Sequence, residues 1–227
     1  MFKGASSFAE NVDTAFWFVV AVSTLVFVGI VIAMIYFLIR FRRSKNPYST
    51  NIDGHLGLEI AWTAIPLVLF MGMFYLGWVG YKDMVTVPKD SIPLKVTAMM
   101  WAWQMEYPNG LTTDTLYVPV NTPVKVSLSS RDVNHSFYIP AFRFKKDVIP
   151  GRTNVTWFKA IRRGSYDIAC AEYCGLKHSA MYTKVHVLDS TAFEAWYRAA
   201  SEKAGKGYTP LVGGSTAAAA VLSMPNP

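Results

Sequence analysis

Four soft or borderline donors fall within twelve residues of CAEYCGLKHSAM: Cys170, Cys174, His178 and Met181. A further histidine, His135, stands upstream in DVNHSF. Thiolate and thioether favour Cu(I) and imidazole tolerates both oxidation states, so the set suits copper and electron transfer rather than hydrolysis. A mononuclear blue-copper centre uses one thiolate, two imidazoles and a weak axial group. This chain offers both of its two cysteines in one run, and two thiolates bridge two metals. Each copper then takes one imidazole, with Met181 as a weak axial ligand on one ion and a backbone carbonyl near Glu172 on the other. Sharing one electron over a compact sulfur-bridged pair changes bond lengths little, so transfer costs little reorganisation. The competing reading is a Cys170–Cys174 disulfide in an exported domain, which leaves His178 and Met181 without a purpose.

Such donors need a rigid frame, and the pattern from Asp83 onward supplies one. Short runs rich in β-branched and aromatic residues alternate with Pro, Gly, Asn and Asp, predicting nine strands between Leu94 and Leu188. Many short strands without long helices between them argue for a sandwich or Greek-key barrel. His135 then comes from one inter-strand connection and Cys170 to Met181 from the loop entering the last strand. Gly175 eases the tight turn after Cys174, as an ordinary turn glycine also would. Asp132, three residues before His135, either orients that ligand from behind or serves as a turn aspartate. Trp101 and Trp103 alternate in WAWQMEYP, which predicts a buried aromatic pair on one strand face. Residues 191–204 have helical character, and the Gly-, Ala-, Pro- and Ser-rich stretch beyond reads as a tail.

The first third of the chain is different. Residues 15–39 carry no charge, enough for a helix to cross about 30 Å of hydrocarbon. Arg40, Arg42, Arg43 and Lys45 follow and place that end in the cytoplasm. A short polar loop containing Asp53 leads into a second apolar run, residues 58–80, which returns the chain across the bilayer. Two crossings leave the start and the large C-terminal region on one external face. Glu59 sits where the second helix enters the membrane; it is either a functional carboxylate or a side chain snorkelling to the edge. Pro66 is expected to bend this helix. The expected organisation is a transmembrane hairpin within 1–81, a β-domain over 82–190 and a helix with tail over 191–227.

Over its 227 residues the chain carries a net charge of +7, but no zinc finger, recognition helix or basic aromatic platform accompanies that charge, which argues against nucleic acid. Residues 82–227 hold 17 Lys or Arg against 11 Asp or Glu, a formal +6.

The run CxExCGxxHxxM, the upstream DVxHSF, the phrase IPGR and the membrane signature ExxWTxxP resemble subunit II of the haem-copper cytochrome c oxidases. The resemblance implies a two-helix membrane anchor and a cupredoxin-like Greek-key β-sandwich carrying the dinuclear copper A centre. It puts the copper ligands at His135, Cys170, Glu172 (through its carbonyl), Cys174, His178 and Met181. It also makes Trp101 the residue that receives electrons from cytochrome c, although Ala98, Met99 and Met100 replace the family's usual GHQ before it. The Glu172 carboxylate would complete a magnesium or manganese site shared with subunit I, and Glu59 would stand at the mouth of a proton-uptake channel. Haem would reside only in partner subunits, since no CxxCH is present. Expected partners are subunit I, subunit III and cytochrome c, in a bacterial-type inner membrane with the large domain on the periplasmic side.

Oxidases served by basic cytochrome c resemble acidic docking surfaces. A net-positive domain instead predicts a neutral, acidic or tethered donor, unless Asp114, Asp167 and Glu106 form a local acidic patch. Rival readings are a copper A subunit of a membrane nitric-oxide reductase and a copper-delivery or assembly protein.

Overall fold

The computed structural model describes residues 3–48, 50–51 and 54–212. Asp53 of the short polar loop and the tail beyond residue 212 lie outside them. The chain divides into two compact units, one of residues 11–81 and one combining the first ten residues with everything from Lys82 onward.

The smaller unit is a helical hairpin. Helix α1 spans Ala9–Arg40 and α2 spans Leu56–Val85. At 1.5 Å per residue these helices of 32 and 30 residues exceed the roughly 30 Å of a bilayer core. Both run past the apolar stretches read from the sequence, because each helix extends into polar residues at its ends. Apolar side chains surround α2, none of whose residues is buried, as suits a lipid-facing helix. At the start of α2 the His55 ring accepts the Leu58 N–H (3.2 Å) and Glu59 Oε1 accepts the His55 N–H (3.4 Å). This reciprocal arrangement satisfies N–H groups that a helix start leaves unpaired. The helix continues through Pro66.

Among its described residues the larger unit holds ten strands: β1 Ile92–Met99, β2 Ala102–Glu106, β3 Thr112–Thr113, β4 Leu116–Pro119, β5 Pro123–Ser130, β6 His135–Ile139, β7 Phe144–Val148, β8 Asn154–Lys159, β9 Gly164–Cys170 and β10 Tyr182–Leu188. Helix α3, Ser190–Lys203, follows. They form two five-stranded sheets, ordered β3-β2-β1-β5-β8 and β4-β10-β9-β6-β7. Most pairs are antiparallel, but β1 with β5 and β4 with β10 are parallel. Alternate residues of β1 (Ile92, Leu94, Val96, Ala98) and β5 (Val124, Val126, Leu128) are buried and join Phe137, Ile168 and Val185 of the other sheet in one core. Each such aliphatic or aromatic side chain contributes roughly 1.5–3 kcal/mol by leaving water. The result is the two-sheet, cupredoxin-like sandwich expected from the sequence.

The chain start belongs to this sandwich. Ser6 bridges Ala160, its hydroxyl donates to the Phe142 carbonyl (2.6 Å), and Ala5 N–H donates to Ala141 O (2.7 Å). Phe8 is buried edge-on against Trp157 at 4.8 Å, and the Trp157 indole donates to Asp83 O at 3.2 Å. Residues just before α1 and at the end of α2 thus meet on one tryptophan.

Candidate metal centre

Two connections at one end of the sandwich build the site. β9 ends at Cys170, the loop to β10 carries Cys174, His178 and Met181, and β6 begins at His135. A short 3-10 turn, His178–Ala180, sets His178 and Met181 into the loop. β6 and β9 pair antiparallel with Phe137 opposite Cys170, which brings a residue 35 positions away beside the cysteines.

The donor atoms converge. Cys170 Sγ lies 3.8 Å from His135 Nδ1, 3.2 Å from the Glu172 carbonyl oxygen and 3.7 Å from Cys174 Sγ. Cys174 Sγ lies 3.5 Å from His178 Nδ1 and 3.7 Å from Met181 Sδ. Both cysteines are free, and their separation far exceeds the 2.05 Å of a disulfide. Donors about 3.5–3.8 Å apart are what a metal holding sulfur at about 2.3 Å and nitrogen at about 2.0 Å requires of neighbouring ligands. The ligand atoms of His135, Cys170 and Cys174 all fall within 4.8 Å of one another, and these residues and Met181 are buried. A buried set of thiol, thioether and imidazole donors fits a soft ion such as copper.

Asp132 works from behind. Its Oδ1 lies 2.9 Å from His135 Nε2, so the ring turns Nδ1 toward the sulfurs. The same carboxylate accepts the N–H of Met100 (2.7 Å) and of Val133 (2.7 Å). Burial alone would raise the Asp132 pKa, but hydrogen bonds from His135, Met100 and Val133 outweigh it and hold the group at about 2. Burial, reinforced by the Cys170 thiol, pushes the Cys174 thiol up to about 11.

Trp101 departs from the expected strand pair. Alternation fails because the β1–β2 hairpin turns at Met100 and Trp101, leaving only Trp103 within β2. Trp103 is buried edge-on to the His135 ring at 6.2 Å, whereas Trp101, half-buried, donates its indole N–H to the Cys174 carbonyl at 3.2 Å. Gly175 has φ +112, and a Cβ there would lie 3.4 Å from the Trp101 ring, so a glycine serves both the turn and the indole beside it.

Of the acidic patch considered from sequence, Glu106 pairs with Lys95 (3.1 Å), Asp167 pairs with Lys184 (2.8 Å), and Asp114 accepts the Thr115 hydroxyl (3.0 Å). Glu172 presents an exposed residue in the loop, and Glu59 belongs to the hairpin rather than to this cluster. Sequence reasoning found the donors by type and spacing. It missed the Met100 contact of Asp132 and the place of Trp103 beside His135, which depend on how the two sheets meet.

Two family profiles match the chain: "Cytochrome C oxidase subunit II, periplasmic domain" over residues 71–188 and "Cytochrome C oxidase subunit II, transmembrane domain" over residues 1–76. The chain belongs to the cytochrome c oxidase subunit II family. It is 32% identical to cytochrome c oxidase subunit 2 of Thermostichus vulcanus, covering 86% of this chain and 76% of that one. With the subunit 2 of Cereibacter sphaeroides it shares 27% identity over 85% of this chain and 77% of the relative. The crystal structure of the periplasmic domain of subunit II of cytochrome oxidase from Bradyrhizobium japonicum aligns at a TM-score of 0.50 and 34% identity, covering 52% of this chain and 99% of that domain. This subunit II is a multi-pass membrane protein with an external C-terminal domain and a component of a multi-subunit oxidase.

Proposed function

We propose that this subunit II accepts electrons from a c-type cytochrome at Trp101, holds them at a dinuclear copper A centre, and passes them to haem in subunit I, where oxygen is reduced to water. The observation that carries this reading is the convergence of two buried thiols, each with its own imidazole nitrogen at 3.8 or 3.5 Å. When bound, a sulfur-bridged copper pair supplies a one-electron store that rearranges little.

Every remaining task falls to residues of the chain. Cys170, Cys174, His135 and His178 would hold the copper pair, with Met181 beside Cys174 and the Glu172 carbonyl beside Cys170 as further donors. Asp132 fixes the His135 ring. The Trp101 indole, bonded to the carbonyl of Cys174, gives an incoming electron a short covalent and hydrogen-bonded route to a bridging ligand. The Glu172 carboxylate, a hard ligand, completes a magnesium or manganese site with subunit I. Glu59, exposed at the start of α2, marks the entrance of a proton-uptake path.

Electron paramagnetic resonance of the purified complex tests the centre. One electron shared by two equivalent coppers, with two coppers per chain by metal analysis, is expected. Cys170→Ala and Cys174→Ala should each abolish that spectrum; spectra of isolated copper ions in the unaltered protein would refute the pair.

A further inference from the structure

The same end of the sandwich carries an exposed apolar rim. Met100, Val133, Tyr173 and Leu176 flank Trp101 and the copper loop, with Leu176 87% and Tyr173 76% exposed. Over the indole itself sits a cation, Lys177 Nζ, 5.8 Å from the ring centroid and within the range of a cation–π contact.

Two acids lie in the loops that form this rim, Asp132 and Glu172. Asp132 is turned inward onto His135 and the Met100 N–H, and its carboxylate forms no ion pair with Lys177. Glu172 faces the partner subunit under the function proposed above. Elsewhere on the domain, Glu106, Asp147, Asp167 and Asp189 each lie within 3.1 Å of a Lys or Arg nitrogen. Glu194 accepts the N–H groups of Leu211 and Val212 and the Tyr208 hydroxyl. Among the described residues, Lys177 therefore stands over the Trp101 ring with no carboxylate paired to it, in a region, residues 82–227, of net charge +6.

We infer that Lys177 makes this rim a docking site for an acidic electron-carrier protein and disfavours carriers whose exposed redox edge is ringed by lysines. The inference rests on electrons coming in at Trp101. An apolar rim contributes contact around the indole while the ammonium selects the sign of the partner, since opposite potentials speed encounter and like charges brought together are costly.

Oxygen consumption by the complete oxidase, driven by one acidic and one lysine-ringed c-type cytochrome of matched potential, tests this. At low ionic strength kcat/KM should favour the acidic donor by about tenfold or more, and the preference should shrink with added salt. Lys177→Glu should lose or invert the preference, Lys177→Arg should keep it, and the copper spectrum should be unchanged in both. If Lys177→Glu leaves the donor ratio within about twofold while Trp101→Phe blocks reduction by both donors, the selection by Lys177 fails and the electron route stands. If Trp101→Phe leaves reduction unaffected, the route itself fails.

Discussion

Asp132 and His135 are joined at 2.9 Å through Oδ1 and Nε2, and the other carboxylate oxygen of Asp132 holds the Met100 N–H at 2.7 Å. One carboxylate thereby fixes both a metal-facing imidazole and the turn that presents Trp101.

Asp132→Asn keeps the size of the side chain and one acceptor oxygen but removes its charge. Copper affinity should fall roughly 10–100-fold, as when other partners behind a ligating histidine are altered. The hyperfine coupling of the His135 nitrogen should change while that of His178 does not. Asp132→Ala also frees the Met100 N–H and should add a loss of electron input at Trp101. Equal metal affinity in Asp132→Asn and the unaltered protein would remove the orienting role. Because the folded pKa is depressed below 3.8 to about 2, the stabilisation is present above about pH 4 and is lost as pH falls toward 2.

Cys174 gives the opposite sign. Its pKa is raised by burial and by Cys170, so the metal-free thiol is protonated at neutral pH and its proton must leave when metal binds. Copper affinity should rise about tenfold per pH unit for each thiol proton released. Calorimetry of copper uptake by the full chain in detergent, in two buffers of different ionisation enthalpy, counts the protons. For the metal-free chain, a raised pKa means stability is full below pH 9 and declines as pH rises through about 11. A flat melting temperature over that window would contradict the burial of the thiol.

The ligand run was legible because its donors are local: twelve residues fix their own spacing, and the loop needs only two rigid strand ends. The strands were legible because short β-branched and aromatic runs are punctuated by Pro, Gly, Asn and Asp, and the hairpin because residues 15–39 are uncharged. Parallel pairing of β1 with β5 and of β4 with β10 was not, since local pattern says nothing of which distant strand lies alongside. The two-residue strand β3 is too short for any period. Trp101 was misplaced for a related reason. Alternation in WAWQM holds only within a strand, and the chain reverses at the first tryptophan.

Least legible of all was the seat of the chain start. Phe8 is buried against Trp157 although nothing in GASSFAEN marks a strand. Phe8→Ala should cost about 3 kcal/mol through the lost burial and the cavity left behind. The sandwich in the full chain should then melt roughly 2–4 °C lower for each kcal/mol. An unchanged melting temperature would show that this segment does not hold to the domain in solution.

Glu59 caps the start of α2 and is also the proposed entrance for protons, and the two roles separate by substitution. Glu59→Gln retains an acceptor for the His55 N–H but removes the titratable group, whereas Glu59→Ala removes both. If Glu59 collects protons, both variants should slow turnover severalfold while the rate of copper reduction by the donor stays unchanged. Full turnover in Glu59→Gln, with reduced helix stability in Glu59→Ala alone, would leave only the capping role.

Gly175 ties the loop geometry to the seat of the Trp101 indole. At φ +112 an alanine is strained by about 1–3 kcal/mol. Its Cβ would also meet the Trp101 ring at 3.4 Å, so even a loop that tolerates the strain must settle against the indole. The N–H bond from Trp101 to the Cys174 carbonyl is the contact placed at risk, because that carbonyl immediately precedes the glycine. Gly175→Ala should therefore retain both coppers, with a modestly altered spectrum, yet accept electrons from the donor more slowly. Stopped-flow reduction compared with metal content separates the two effects: loss of copper in proportion to loss of rate would mean that the glycine serves the ligands alone.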